Sequence, residues 1–495
     1  MTDFTSLRCT GCGWVAPPAE QHPFPFRCAR GTERDDIDHV VRRLLTPAGG
    51  EPARAADPNP FIEHRALFHS YHVARTHGMS DEAYVEIVRR LDDAVAAVDG
   101  HGFRATPFRR CDRLSERLGF GGGGVWVKDE TGNVSGSHKA RHLLGIMLYL
   151  EVIVRLGLAP TPGPEPPAPG SQPLTTGHWQ LGAGFWPLAI ASCGNAALAA
   201  AVVAQAASWP LDVYVPPSAN PSVLARLERL GAHVHSCGRR PGVTGDPCYH
   251  AFHDALASGA LPFCVQGSDN GLTIEGGETL AWEMVGGLGK TRLDRLIVQV
   301  GGGALASACI QGFSEAAALG RIEYAPRVFT VQTAGAYPLK RAYDRLVERV
   351  LARLREEGVT WSPEPDHERS IAMLIRDHFG LRAAREELIE ARQHRSRFMW
   401  PWEREPQSIA HGILDDETYD WAAVVEGMLS TGGSPVVVDD RALVDANALA
   451  RDLTGVNVDH TGSAGLAGLM QLLTGPDRPS PDEQVAVIFS GVQRA

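Results

Sequence analysis

Positive charge is the first thing this sequence runs short of. Its 47 Lys and Arg are outnumbered by 58 Asp and Glu, leaving a formal net charge of −11. Phosphate backbones select basic faces, so this balance argues against a nucleic-acid partner. The opening "MTDFTSLRCTGCGW" has no basic stretch followed by an apolar run, so no secretory signal is expected and a cytoplasmic location is. Cysteine is sparse and odd in number. Nine residues scattered over 495 suit a reducing compartment better than a disulfide framework. Long apolar runs are missing too. The nearest approach, "PLAIASCGNAALAAAVVAQAAS" (Pro187 to Ser208), is alanine-rich and carries Ser192, Gly194 and Asn195 in its middle. It reads as a buried strand, a polar loop and a core helix, with no membrane as partner. There is no internal repeat of solenoid length. With 44% hydrophobic and 21% charged residues, the chain is too apolar for wholesale disorder and long enough for two or more domains.

What is present is alternation. Short β-branched runs trade places with helical stretches, the pattern of an α/β protein with parallel sheets. "VWVKDE" (Val125 to Glu130) predicts a strand that leads into a loop and the helix "KARHLLGIMLYLEVIVRLG". "FWPLAIASCGN" followed by "AALAAAVVAQAA" repeats the unit, and "DRLIVQVGGGALASACIQGFSEAA" is its clearest instance. "LDVYVPP", "RVFTVQT", "PVVVDD" and "VAVIFSG" supply further strands. Two segments read as additions to this core. "APTPGPEPPAPGSQPLTTG" (Ala159 to Gly177) is proline-rich, an exposed loop or connector. Residues from about 339 to 407 are dense in Arg and Glu at helical spacing. A solvated helix face, a cover over a site and a subunit contact all remain open for them.

Five stretches have residues that carry chemistry. "VSGSHKARHL" (Val134 to Leu143) sets Lys139 behind small polar residues at the mouth of a helix. "IASCGNAAL" puts a polar loop with Ser192, Gly194 and Asn195 between a strand and a helix, where α/β sheets present ligands. "VGGGALA" lets successive amides turn toward an anion at a helix N-terminus. Gly301-x-Gly303-x-x-Ala306 also matches a dinucleotide fingerprint. That reading requires an acid at the end of the next strand, where Gln332 and Thr333 stand instead, so the loop is expected to hold a phosphate other than that of a nicotinamide dinucleotide. "IFSG" ends a strand with Ser490 and Gly491. Finally, Cys9-x-x-Cys12 with Cys28 has the look of a zinc ribbon, which needs a fourth ligand from His22 or His39. A zinc site and a ribbon that has lost its metal both fit.

Taken in order, the lysine loop, the Asn loop, the glycine-rich loop and the C-terminal Ser-Gly resemble the fold-type II pyridoxal-phosphate (PLP) enzymes. That family includes threonine synthase, serine/threonine dehydratase, cysteine synthase and the tryptophan synthase β subunit. The resemblance runs from about Phe108 to Gly491. "IEGGETLAWEM" and "VDHTGSAGLAGL" are similar to two further family segments, and the cysteine segment is most like the ribbon preceding the core of some threonine synthases. The resemblance implies two open parallel-sheet domains with the cofactor in the cleft between them, behind a small cysteine-containing segment. The expected boundaries are 1–45 for that segment, 46–265 for a domain with the lysine and Asn loops, and 266–495 for a domain with the phosphate loop and Ser490.

The same resemblance assigns roles. Lys139 would link to the cofactor aldehyde and then move the α-proton of the substrate. Asn195 would bond the ring 3′-oxygen, the amides of Gly301, Gly302, Gly303, Ala304 and Leu305 would cradle the phosphate, and Ser490 would face the pyridine nitrogen. Ser192, Gly194 and His138 would meet the substrate. Cys9, Cys12 and Cys28 would hold structural zinc outside the catalytic core. The implied activity is elimination or replacement on a small α-amino acid, as in threonine synthase or dehydratase, in a homodimer. A cysteine-synthase-like β-replacement and a non-catalytic binding or regulatory protein are the alternatives. Threonine synthases show "SFKDR" around their lysine and threonine in the Asn loop, whereas this chain has His138, Ala140 and Cys193. These departures leave the substrate open.

Overall fold

The computed structural model describes residues 4–32, 35–46, 56–159, 186–239, 245–361, 367–380 and 382–494; the proline-rich segment expected as a loop lies almost wholly outside them. The chain is α/β. It contains β1 (Thr5–Cys9), β2 (Val41–Leu45), β3 (Phe108–Arg110), β4 (Gly124–Asp129), β5 (Leu188–Ala191), β6 (Leu211–Val215), β7 (His233–Ser236), β8 (Leu261–Pro262), β9 (Arg295–Gln299), β10 (Arg327–Thr333), β11 (Pro435–Val438) and β12 (Gln484–Phe489). β1 and β2 form an antiparallel ribbon, Cys9 opposite Val41.

The larger sheet has the order β11-β10-β9-β12-β4-β3 and is parallel except for β3. The smaller, β7-β6-β5-β8, is wholly parallel. Parallel sheets bury both faces under crossover helices, which is why "RLIVQ" of β9 is continuously buried instead of alternating. β3 and β4 precede residue 265 yet complete the sheet whose other strands follow it. Chain order does not record which sheet a strand enters.

The helix after β4, Lys139–Arg155, is buried along nearly its whole length. It lies against the Thr273–Leu288 helix at a contact that only glycines permit. A Cβ on Gly145 would stand 2.9 Å from the Cα of Gly276. The Asn195–Ala207 helix, rich in alanine, packs on its other side. The charged 339–407 region contains the helices Pro338–Glu356, His367–Asp377 and Arg382–Gln393. Leu339, Leu346, Val350 and Leu354 sink one face of the first into the core, while Arg349 and Arg353 reach Glu387 on the third at 2.5 and 2.9 Å. Part of its charge therefore ties helix to helix. No helix among the described residues is long and apolar enough to cross a membrane.

Candidate active site

Three neighbouring strands of the larger sheet end side by side, and each delivers one expected element. β4 runs into the Lys139 loop, β12 ends at Ser490, and β9 ends at the glycine-rich loop. The Ser192–Asn195 loop follows β5 of the smaller sheet. Ligands of open α/β sheets sit at such carboxyl ends. The lysine loop is wound tightly to reach its helix. Ser135 (φ 54°) and Gly136 (φ 73°) both adopt left-handed backbone, a conformation that costs a non-glycine residue about 1–3 kcal/mol. Ser135 N–H donates to Asp99 at 2.7 Å and Val492 N–H to the Gly136 carbonyl at 2.9 Å, so neighbouring chain holds the turn.

The chain has only four lysines. Lys128 is buried, donating to the Thr106 carbonyl at 2.8 Å and pairing with Glu283. Lys340 reaches Asp344 one turn along its own helix at 2.7 Å, and Lys290 is exposed. Lys139 alone stands beside the glycine-rich loop. Burial lowers its pKa, and the Asp415 carboxylate opposes that shift. An amine in such a place is poised to be a nucleophile or a base.

The glycine loop is clasped from behind by the segment 413–420. Thr418 Oγ1 donates to the Gly301 carbonyl and Asp420 N–H to the Gly302 carbonyl, both at 3.0 Å. With those carbonyls engaged, the first N–H groups of the Ala304–Ala318 helix are left open, while the Gly302 amide faces the Asp415 carboxylate. A Cβ on Gly301 would meet Asp415 Oδ2 at 2.3 Å, and one on Gly302 the Tyr419 ring at 2.9 Å; glycine is required at both. Asp415 itself accepts from Gly302 N–H, and burial pushes its carboxyl up to about 6 against the pull of Lys139. A helix N-terminus that opens behind glycines is a place suited to an anion.

Ser490 accepts from His138 N–H at 3.1 Å and shares a hydrogen with His138 Nδ1 at 2.5 Å. Burial, with Lys139 nearby, holds His138 well below its usual pKa and therefore neutral. Its ring turns toward Ser490 and meets His142 edge-on. Asn195 opens its helix, with Gly194 as the cap and Gly194 N–H 3.4 Å from Ser192 Oγ. Arg494 joins this loop to the lysine loop: one guanidinium nitrogen bonds Asn195 Oδ1 and the other the Ser135 carbonyl at 2.7 Å. Neither Arg494 nor Asp415 was visible as a site residue in the sequence. Both lie in stretches without a motif, and only the fold brings them in.

At the N-terminus, Cys9, Cys12, Cys28 and His39 place one ligand atom each within 4.8 Å of one another. Cys9 Sγ is 3.5 Å from His39 Nδ1, and Cys12 Sγ is 3.5 Å from Cys28 Sγ. The edges of a zinc tetrahedron are about 3.5–3.8 Å for such ligands. His39 Nε2 lies 3.3 Å from Asp35, the outer carboxylate that a metal-bound imidazole commonly has. His22 instead packs edge-on against Trp14 and is not part of the group. Purified protein is expected to carry about one zinc per chain by elemental analysis. His39→Ala should lose most of it and His22→Ala none; the reverse pattern would refute this ligand set.

A sequence family described as "Pyridoxal-phosphate dependent enzyme" matches residues 100–491. Threonine synthase of Methanosarcina acetivorans is 27% identical over 377 residues, covering 74% of this chain and 69% of that protein. Among solved structures, the processed form of threonine deaminase isoform 2 from Solanum lycopersicum aligns with a TM-score of 0.52 at 15% identity, covering 84% of this chain and 86% of the other. Maize serine racemase aligns at 0.50 with 18% identity, covering 82% and 94%. At such identities the structural likeness shows a shared fold.

Proposed function

Because the chain belongs to the pyridoxal-phosphate-dependent enzymes, of fold type II, we propose that it eliminates or replaces a β- or γ-substituent of a small α-amino acid, in the manner of threonine synthase and dehydratase. The observation that carries this reading is Lys139: a partly buried amine, the only lysine beside the glycine loop. The residues fit the cofactor. Lys139 would hold its aldehyde carbon, and the amides from Gly301 to Leu305 its phosphate. When bound, pyridoxal phosphate supplies an electron sink for the pair left on the substrate α-carbon.

The chain's own groups do the rest. The Lys139 amine, kept short of protons by burial, takes the proton from the α-carbon and can return one to the leaving side. The Ser192–Asn195 loop, at a helix N-terminus, offers amides and a hydroxyl to the substrate carboxylate. Ser490 and neutral His138 present no acid where the resemblance puts the ring nitrogen. That absence supports elimination and replacement over chemistry that needs a full negative charge on the α-carbon. An amino-acid panel tests the reading. One or a few substrates should change the cofactor absorbance and release ammonia with a keto acid, or join an added nucleophile. Substrate-dependent transamination alone would contradict it.

The influence of the Asp415 charge on Lys139 gives a pH prediction. A carboxylate beside an amine favours the ammonium form and raises its pKa. Asp415→Asn removes that charge, so the Lys139 pKa falls further. The pH midpoint for linking the cofactor aldehyde, followed by absorbance, is expected to move to lower pH. A midpoint that stays put or rises would show that Asp415 does not act on Lys139.

A further inference from the structure

The metal knuckle and the glycine loop lie on different parts of the chain, yet a path of hydrogen bonds, ion pairs and single backbone steps joins them. Asp36 and Asp38 flank the turn that brings in His39. Asp38 is 3% exposed, and its N–H donates to the Arg392 carbonyl at 2.7 Å. The Asp36 carbonyl accepts from Arg395 N–H at 2.8 Å, and its carboxylate accepts from Ser396 N–H and Ser396 Oγ, both at 2.8 Å. The Arg395 guanidinium then bridges two acids: its Nε is 3.4 Å from Asp38, and its Nη2 pairs with Glu417. Glu417 precedes Thr418, whose hydroxyl holds the Gly301 carbonyl, and Asp420 holds that of Gly302. The cysteine half of the knuckle bears on the same strut, since a Cβ on Gly11 would collide with the Asp38 carbonyl at 2.4 Å.

Rigid bonding of this kind transmits a displacement in either direction. Metal would add a bond to each of the three thiols and the imidazole, and would fix the segment bearing Asp36 and Asp38 more firmly than its hydrogen bonds alone. Arg395 follows its partners, and through Glu417 the clasp behind the glycine loop would be fixed more firmly in turn. The amides of that loop bind an anion well only while its carbonyls stay turned away. We propose that Arg395 is a positioning residue through which metal in the Cys9–Cys12–Cys28–His39 knuckle and the cofactor phosphate in the glycine loop bind cooperatively. This inference rests on the pyridoxal-phosphate reading of the site.

The test is a cofactor titration, followed by absorbance, of zinc-loaded and zinc-stripped full-length protein, wild type and variant. Coupling between two sites in one protein commonly changes affinity by about 5- to 150-fold. Stripping zinc from the wild type is expected to weaken pyridoxal-phosphate binding within that range. Arg395→Ala should weaken the loaded protein by a similar factor and make it insensitive to zinc, while keeping its one zinc. Arg395→Lys, which retains a cation between Asp38 and Glu417, should restore part of the affinity. Where Arg395→Ala does not fold, Glu417→Gln cuts the same link and decides in its place. A wild type indifferent to zinc overturns the coupling. A variant that keeps the full zinc effect overturns the role of Arg395. If zinc-loaded wild type binds no pyridoxal phosphate at all, the cofactor reading falls together with this inference.

Discussion

Lys139→Ala is expected to lower turnover by about 100- to 10,000-fold or more, the usual worth of a positioned acid–base group, while the protein stays folded and still takes up pyridoxal phosphate. The loss follows from the lysine inventory. Lys128 is locked to Glu283, Lys340 to Asp344, and Lys290 stands in solvent, so no other lysine can take its place. Retention of the fold follows from what Lys139 touches. Removing it takes the Lys139 charge away from Asp415, whose carboxyl burial has already raised to about 6, so it can take up a proton instead. Retention of cofactor follows from the glycine loop, whose donors are backbone and untouched. Turnover, cofactor content and thermal unfolding of the same preparation separate these effects. A variant that turns over at the wild-type rate would remove Lys139 from the mechanism.

Two residues along the same helix, the expectation reverses. Arg141→Ala should cost about 3–5 kcal/mol of folding stability, the penalty for breaking a buried ion pair from one side. Arg141 is fully buried. Its Nε reaches Glu130 at 2.8 Å, its Nη1 reaches Glu283 at 2.5 Å, and its Nη2 reaches Thr106 Oγ1 at 3.1 Å. Burial alone would drive its pKa down, yet the charges of Glu130 and Glu283 hold it above the ordinary value. Without it, two buried carboxylates are left to Lys128, whose own pKa burial lowers. Denaturant unfolding measures the effect. Arg141→Lys keeps the charge but loses the fork of parallel bonds, so it should fall between. A change below about 1 kcal/mol in Arg141→Ala would mean that the network carries little of the stability. "KARHL" therefore contains one residue for chemistry and one for the scaffold.

The sequence distinguished these roles unevenly. Lys139, Asn195, the glycine loop and Ser490 stood out because each lies between a strand and the turn or helix that follows it, and that punctuation is local. The run of strand, turn and helix around β9 was legible for the same reason. Contacts between distant segments left no such mark. Asp415 sits in "ILDDETYD", an acidic stretch that reads as solvated surface, and Arg494 follows the last strand in "GVQRA". Only folding sets the first against Gly302 and the second against Asn195. The choice between His22 and His39 likewise turned on the ribbon pairing of β1 with β2, which brings the segment just before β2 back to the cysteines. That the charged 339–407 region holds Asp36 and Asp38 depends on where it docks, which its Arg and Glu spacing does not record.

One chemical measurement bears most directly on the assignment of the site. Pyridoxal phosphate is added to the purified protein, the linkage is reduced with borohydride, and the digested peptides are mapped by mass. The expected result is a single pyridoxyl group on Lys139, lost in Lys139→Ala and retained in Arg395→Ala at saturating cofactor. A pyridoxyl group on Lys128, Lys290 or Lys340 of the wild type, with Lys139 unmodified, would contradict the placement of the cofactor at the ends of β4, β9 and β12.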